Sequence, residues 1–191
     1  MSATIRSFFA FDIEDQTIIR QLSKVQAMLA NTSADLKLIK SQNIHLTIRF
    51  LGDIHPPMVD AIYEEMKQIS FTPFEIELEG LGAFPKPSYP RIVWVGIRKG
   101  ANELIDVFEQ LEPRLRGLGF KADTKGLNPH LTIARVRTGR NKIRLAELIR
   151  ELENYEFGTV KAECLKLKKS DLTPRGPIYT NLREVCGKQN M

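Results

Sequence analysis

The sequence lacks the features that mark membrane and secreted proteins. It contains no run of about eighteen apolar residues, so we expect no membrane-spanning helix. Its first residues do not form the apolar segment and small-residue cleavage site of a signal peptide, because they lead directly into a strand-like run. These absences predict a cytoplasmic protein that does not bind a membrane.

Cysteine and histidine are both scarce. Cys164 and Cys186 are the only cysteines, and two cysteines without close spacing indicate neither a metal knuckle nor a disulfide framework. We therefore expect two separate, reduced thiols, as is usual in the cytosol. There are only three histidines, which makes any repetition among their neighbours easy to recognise.

The remaining composition is that of an ordinary globular protein. The chain has 191 residues, of which 42% are hydrophobic and 27% are charged, so it is long enough to bury a substantial core. The formal net charge of +5 suits a polyanionic ligand but does not by itself indicate one.

Two of the three histidines open the same tetrapeptide. Residues 45–48 and 130–133 both read His-Leu-Thr-Ile, at an offset of 130 − 45 = 85 residues. The chance that any two of three histidines share the next three residues is on the order of 10⁻³ to 10⁻⁴, so we interpret the match as an internal repeat. The third histidine, His55, has no counterpart.

The repeat extends beyond the two motifs. The order strand, helix, motif strand, helix, strand is predicted twice, from alternating and helical spacings of apolar residues. The first copy comprises a strand at 8–13, a helix at 15–30, a helix from Pro56 and a strand at 74–78. The second comprises a strand at 92–97, a helix at 102–118 that we expect Pro113 to bend or break, a helix near 141–153 and a strand at 158–167.

This order predicts an α+β fold. We expect one domain over 1–191, made of two pseudo-symmetric lobes at approximately 1–85 and 86–191. Each lobe is a mostly antiparallel sheet with helices on its outer face, and the cleft between the lobes holds the site. The proline-rich stretch 82–90 is either the lobe boundary or a long loop near the site, and we expect a monomer.

The motifs place polar side chains on one face of each strand. Alternation predicts that His45, Thr47 and Arg49 share one face of the first strand, while residues 44, 46, 48 and 50 share the other. In the second motif, His130 and Thr132 share a face. A single His-x-Thr is more often structural than functional. Its duplication predicts one pocket with two imidazoles and two hydroxyls.

Such a pocket suits cleavage of a phosphodiester without a metal. A neutral imidazole removes a proton from water and an imidazolium protonates the leaving oxygen, because the ordinary histidine pKa near 6.5 allows both forms. The hydroxyls of Thr47 and Thr132 are candidate donors to the phosphoryl oxygens. Neither motif carries the third ligand of a zinc site on its polar face, so we expect no metal and no cofactor. The residues do not distinguish the acid from the base.

At these residues the sequence resembles the 2H phosphoesterase superfamily, named for its two histidines. Within that superfamily it is similar to the LigT-like RNA 2′,3′-cyclic phosphodiesterases, once called 2′-5′ RNA ligases. The segments that carry the resemblance span nearly the whole chain: residues 6–10, 43–47, 84–85, 90–94, 129–135 and 170–179.

The resemblance implies a reaction and roles for several residues. It implies hydrolysis of a 2′,3′-cyclic phosphate at an RNA end, such as that of a tRNA fragment, to a 2′-phosphate. His45 would be the proton donor, His130 the proton acceptor, and Arg135 a phosphate ligand. Strict alternation places Arg135 opposite His130, so a bulge or strand end is needed to turn it. Phe8 is a candidate base-stacking residue or a core residue.

Two alternatives stay open at this stage. The same site suits 2′-5′ RNA ligation or another cyclic phosphate, such as that of ADP-ribose. A protein of a different class, a non-catalytic RNA-binding module, would use the motifs only to hold phosphate. Two basic segments, residues 138–144 and the group Lys166, Lys168 and Lys169, are predicted loop-like patches that would follow an RNA backbone if they flank the cleft.

Overall fold

The computed structural model describes residues 4–188. The strands in this range are β1 (Ile5–Asp12), β2 (Leu36–Leu38), β3 (His45–Ile54), β4 (Phe74–Lys86), β5 (Tyr89–Lys99), β6 (Leu131–Val136), β7 (Glu156–Ala162), β8 (Cys164–Thr173) and β9 (Gly176–Cys186). The α-helices are α1 (Gln16–Asn31), α2 (Met58–Met66), α3 (Ala101–Gly117) and α4 (Lys142–Glu151), and a 3₁₀ turn covers Ser41–Asn43. The predicted order of strands and helices is confirmed.

The strands form two antiparallel sheets. One has the order β3-β1-β8-β9 and the other has the order β2-β6-β5-β4-β7. Helix α2 packs against β9 and α3 against β3, whereas α1 and α4 pack against the five-stranded sheet. The predicted fold class, two lobes that each consist of an antiparallel sheet with helices, is confirmed.

The lobes are not the two halves of the chain, so the boundary predicted near residue 85 is wrong. Strand β8 pairs with β1, and β4 pairs with β5. The four-stranded sheet thus contains β8 and β9 of the second repeat, and the five-stranded sheet contains β2 and β4 of the first. The proline-rich stretch 82–90 is neither a boundary nor a long loop. It is the end of the β4–β5 hairpin, where the paired Pro85 and Pro90 lie at a bulge, a position at which a sheet tolerates proline.

Pro113 does not break the second long helix, because α3 continues through it to Gly117. Proline removes the N–H that would donate to the carbonyl of Glu109, and Glu109 lies on the exposed side of the helix, where that carbonyl does not need a protein donor.

The prediction of two reduced thiols is also wrong. Cys164 and Cys186 face each other at the open end of the β8–β9 hairpin, with their Cα atoms 3.9 Å apart, and they form a disulfide. Their separation of 22 residues conceals this contact in the sequence, because only the strand pairing brings the two ends together.

Strand β1 shows how the sheets separate the core from the cleft. Phe9 and Phe11 belong to the hydrophobic core, together with apolar side chains of the helices. The alternate residues Phe8, Ala10 and Asp12 lie on the opposite face, as the period of a strand requires. In residues 4–188, no helix is long and apolar enough to cross a bilayer.

Candidate active site

The two motif histidines are held in the same way. His45 begins β3, and its Nδ1 lies 2.8 Å from the carbonyl oxygen of Asn43. His130 immediately precedes β6, and its Nδ1 lies 2.7 Å from the carbonyl oxygen of Asn128. A carbonyl only accepts hydrogen bonds, so Nδ1 donates in both rings and Nε2 is left for a ligand. The matching Asn two residues before each histidine was a sequence signal that the motif comparison missed.

Both motif strands contain a β-bulge at the equivalent isoleucine. In β3 the partners of β1 pass from Thr47 directly to Arg49, so Ile48 is the extra residue. In β6 the partners of β5 pass from Thr132 to Ala134, so Ile133 is the extra residue. The two positions differ by the same 85 residues as the histidines. A bulge shifts the alternation of every residue after it.

The bulge in β6 turns Arg135 to the same face as Thr132. Ile133 and Ala134 are both buried, whereas Arg135 is exposed. The conflict between alternation and the role that the resemblance implied for Arg135 is therefore resolved by the bulge.

The bulge in β3 has the opposite effect on Arg49, and the predicted placement of Arg49 beside His45 is wrong. Its guanidinium forms an ion pair with Glu112 of α3 and donates to the carbonyl oxygen of Lys121. Phe50, predicted on the opposite face, instead approaches Phe8, with ring centroids 5.8 Å apart. Arg49 therefore connects strand β3 to helix α3.

The two motifs converge, although they belong to different sheets. Strands β3 and β6 lie in contact. The positive charge of Arg135 in the second motif is close enough to His45 to contribute to lowering the pKa of its imidazole. The predicted single cleft with contributions from both motifs is therefore supported by the packing.

His45 lies in a partly buried aromatic environment. The ring of Phe8 is 4.9 Å from the imidazole, and the ring of Tyr179 meets it edge-on at 5.2 Å. Phe8 is only 3% exposed, so its face is occupied by these contacts and is not available to a stacking base in this structure. This burial supports a packing role for Phe8 and not a base-stacking role. Tyr179, from strand β9, was missed by the sequence-based search for site residues.

A buried ion pair lies beside His45. Asp12 is the direct cross-strand partner of His45, and its carboxylate accepts hydrogen bonds of 2.6 and 2.7 Å from the ammonium of Lys168. Lys166 binds both Asp12 and Glu14. The prediction of a loop-like basic patch at Lys166, Lys168 and Lys169 is wrong, because these residues lie in β8 and Lys168 is only 6% exposed.

These charges shift the local pKa values. Burial tends to raise the pKa of Asp12, but the hydrogen bonds and charges of Lys168 and Lys166 outweigh it and hold that pKa below its usual value of 3.8. Burial lowers the pKa of His45, and the charges of Lys168 and Arg135 act in the same direction. The hydrogen bond to Asn43 and the charge of Asp12 oppose this shift.

The surroundings of His130 are aromatic. Phe84 meets the imidazole edge-on at 4.9 Å, and the ring centroid of Trp94 is 6.4 Å away. Gly82 makes this arrangement possible, because a Cβ atom there would lie 2.2 Å from the Trp94 ring. The two histidines thus have equivalent backbone contacts but chemically different neighbours.

The two threonines occupy equivalent positions. Thr47 pairs with Ala10 of β1, and Thr132 pairs with Trp94 of β5, so each follows its histidine on the same face. Both are partly exposed, and among residues 4–188 neither hydroxyl forms a hydrogen bond with the protein. Both hydroxyls are thus available to a ligand.

Within residues 4–188, the basic segment 138–144 forms no hydrogen bond, ion pair or ring contact with either motif histidine. It leads into α4, where Lys142 lies 6.0 Å from the ring of Tyr89. For the part of the chain that the structure describes, no three His, Cys, Asp or Glu side chains converge in an arrangement that suits a metal ion.

The repeat is also found when the chain is compared with known protein families. The model of the LigT like Phosphoesterase family matches residues 13–94 and, a second time, residues 95–179. The chain belongs to the LigT-like phosphoesterase family. The two end-to-end matches to the LigT-like model correspond to the two repeats, each of which contains one histidine motif.

Several relatives of this LigT-like chain have names that state an activity. The RNA 2′,3′-cyclic phosphodiesterase of Aeropyrum pernix is 39% identical over 168 residues, which cover 88% of this chain and 96% of the relative. The protein of the same name from Methanothermobacter thermautotrophicus is 36% identical over 180 residues, which cover 93% and 96%.

Solved structures show the same fold. Escherichia coli LigT in complex with 3′-AMP has a TM-score of 0.77 and 22% identity, and the similarity covers 98% of this chain and 100% of that protein. The same protein in complex with phosphate has a TM-score of 0.75 and 21% identity, with the same coverage. At this level of identity the similarity concerns the fold alone.

Proposed function

We propose that this protein hydrolyses the 2′,3′-cyclic phosphate at an RNA end to a 2′-phosphate, without a metal, by the joint action of His45 and His130. The observation that carries the proposal is the pair of equivalently held imidazoles at the starts of two strands in contact, with the positive charge of Arg135 near His45. The names of the relatives supply the substrate class.

The proposed reaction is a substitution at phosphorus. The oxygen of a water molecule bonds to phosphorus as His130 removes its proton, and the bond from phosphorus to O3′ breaks as His45 protonates O3′. The hydroxyls of Thr47 and Thr132 donate to the non-bridging oxygens, on which negative charge increases in the transition state. Arg135 compensates the charge of the bound phosphate.

The assignment of the acid places a requirement on His45. Because burial and nearby cations lower its pKa, His45 in the free protein loses its proton at a lower pH than an ordinary histidine does. A general acid must carry a proton, and the negative phosphate raises the pKa of an adjacent imidazole when it binds. We therefore expect substrate binding to protonate His45.

The biological setting belongs to the same proposal. The substrate would be RNA ends produced by cleavage that leaves a cyclic phosphate, including tRNA fragments, and the protein would act as a cytoplasmic monomer.

The test is an oligonucleotide with a 2′,3′-cyclic end, incubated with the protein in EDTA, followed by identification of the product. We expect a 2′-phosphate with wild-type protein and with the control His55→Ala, and its loss in both His45→Ala and His130→Ala. Full activity of either motif variant would contradict the two-histidine mechanism, and inhibition by EDTA would contradict metal independence. Binding without turnover would favour an RNA-binding module, whereas a joined product would favour ligation.

A further inference from the structure

Three strands of the smaller sheet align Arg6 with Tyr179. Ser7 of β1 pairs with Lys169 of β8, so Arg6 lies beside Ser170 in the antiparallel ladder. Ser170 in turn pairs with Tyr179 of β9. Arg6 and Tyr179 therefore flank the same residue of β8, about two strand spacings or roughly 10 Å apart between Cα atoms.

Arg6 is on the face of β1 that carries the site. It precedes Phe8 by two residues, so the two side chains share a face and their Cα atoms are roughly 7 Å apart. The Phe8 ring contacts the His45 ring. Arg6 is therefore the residue next to Phe8 on this face of β1, and Phe8 is the aromatic neighbour of His45, the proposed general acid.

Tyr179 connects this cation with the histidine. Its ring contacts both Phe8 and His45, at 5.0 and 5.2 Å. Burial raises the pKa of Tyr179, while the positive charges of Arg135 and Arg6 act in the opposite direction, so both guanidinium groups lie within electrostatic reach of the phenol.

The start of β9, which carries Tyr179, is fixed by a hydrogen bond from Asn43. The side-chain amide of Asn43 donates a hydrogen bond of 2.9 Å to the carbonyl oxygen of Pro177. Asn43 is also the residue whose carbonyl orients His45. Two diagonally opposite corners of the sheet, the start of β3 and the start of β9, therefore meet, as the twist of a sheet permits.

The guanidinium of Arg6 and the hydroxyl of Tyr179 have no protein partner within residues 4–188. Arg6 is exposed, and within residues 4–188 it forms no ion pair and no side-chain hydrogen bond. The Tyr179 hydroxyl likewise forms no hydrogen bond with any residue in that range. A guanidinium and a hydroxyl that flank one position are the donors that a phosphate oxygen accepts from.

We propose that Arg6 and the hydroxyl of Tyr179 form a second phosphate subsite, which binds the 5′-phosphate of the nucleotide whose cyclic phosphate lies between the histidines. The positive charge of Arg135, which reaches both His45 and Tyr179, would add to the attraction for both phosphates. In an RNA chain this 5′-phosphate is the next phosphodiester, so the subsite selects RNA ends over free nucleoside cyclic phosphates. This inference rests on the proposed function.

The test compares two substrates that differ by one group: adenosine 2′,3′-cyclic phosphate with and without a 5′-phosphate. We expect wild-type protein to have a higher kcat/KM for the 5′-phosphorylated compound. Arg6→Gln and Tyr179→Phe should each reduce the ratio of the two kcat/KM values about tenfold, because each removes one donor to phosphate. The control Arg116→Gln, which removes an exposed charge from α3, should leave the ratio unchanged.

The salt dependence of kcat/KM distinguishes a lost phosphate contact from a structural defect. The slope of log kcat/KM against log salt for a single-stranded RNA end should be smaller by about 0.7 in Arg6→Gln, as expected for one lost phosphate contact. Equal kcat/KM values for the two substrates in wild-type protein, or an unaltered ratio in Arg6→Gln, would overturn the subsite.

A binding measurement separates this inference from the proposed function. Adenosine 2′-phosphate and adenosine 2′,5′-bisphosphate are titrated into wild-type protein and Arg6→Gln by calorimetry. A preference for the bisphosphate that Arg6→Gln loses supports the subsite even if no cyclic phosphate is hydrolysed. Hydrolysis of both substrates without any such preference refutes the subsite and leaves the proposed function intact.

Discussion

Replacing Asp12 with asparagine is expected to remove the anion that compensates two lysines beside His45. Lys168 donates to both oxygens of this carboxylate, and the side chains of Lys168 and Asp12 are only 8% and 15% exposed. Asparagine keeps the shape and one accepting oxygen but not the charge. The ammonium of Lys168 would then be buried without a counter-ion.

The expected cost follows from this burial. Removing one partner of a buried ion pair typically destabilises a protein by about 3–5 kcal/mol, since the remaining charge is left uncompensated. Because asparagine still accepts one hydrogen bond, we expect the lower end, about 3 kcal/mol. For a chain of this length, 1 kcal/mol corresponds to roughly 2–4 °C, so the midpoint of thermal unfolding should fall by roughly 6–12 °C.

The assay is thermal and urea-induced unfolding of Asp12→Asn beside the control Glu14→Gln. Glu14 pairs with Lys166 of the same network, but its side chain is 76% exposed, so its loss should change stability little. Lys168→Met should cost less than Asp12→Asn, because Asp12 keeps Lys166 as a partner and methionine fills the space. Combining Lys168→Met with Asp12→Asn should restore part of the lost stability.

The pH dependence provides a second check of the same reasoning. A carboxyl whose pKa is lowered on folding contributes stability above its unfolded value of 3.8 and loses it as the pH falls through the folded value. The difference in unfolding free energy between wild type and Asp12→Asn should therefore narrow below pH 3.8. If Asp12→Asn is no less stable than Glu14→Gln at pH 7, the buried ion pair does not have the role argued for it.

Three further predictions concern the two motif strands and their neighbours. If His45 is the acid, kcat/KM should decline as the pH rises through its lowered pKa, whereas kcat should decline at higher pH because the bound phosphate raises that pKa; coincident limbs in the two profiles would speak against this assignment. Gly82→Ala should displace the Trp94 ring and reduce kcat/KM, at a cost of about 1–3 kcal/mol in stability. The control Gly117→Ala has open space around its Cβ and should lose neither stability nor kcat/KM. Arg49→Gln should lower the unfolding midpoint, and a loss of kcat/KM without loss of stability would return Arg49 to the cleft.

Much of this organisation could be predicted from the sequence because it depends on the local spacing of residues. Helical and alternating patterns predicted the strands and helices, and the repeated His-Leu-Thr-Ile predicted the duplicated architecture and the pair at His45 and His130. The family model matches twice, in agreement with that repeat. These features follow from residues that are neighbours in the chain, whose periodicity the backbone imposes.

The side of the strand on which a later residue lies was not predictable in this way. Arg49 and Arg135 both exchanged faces relative to strict alternation, since one extra residue, Ile48 or Ile133, shifts everything after it. A bulge is a relation between two strands, and the sequence of one strand does not record where its partner skips a residue.

Sequence alone therefore determined that two histidines in equivalent strands form the candidate site, because repetition is a property of the chain itself. Tertiary structure decided what makes the two histidines different. Strands β8 and β9 of the second repeat join the sheet of the first motif, and β4 of the first repeat joins the sheet of the second. This exchange places Lys168 and Tyr179 near His45 while Phe84 lies beside His130. Such neighbours come from positions as far apart as Asp12 and Lys168, whose contact depends on long-range strand pairing that no local pattern specifies.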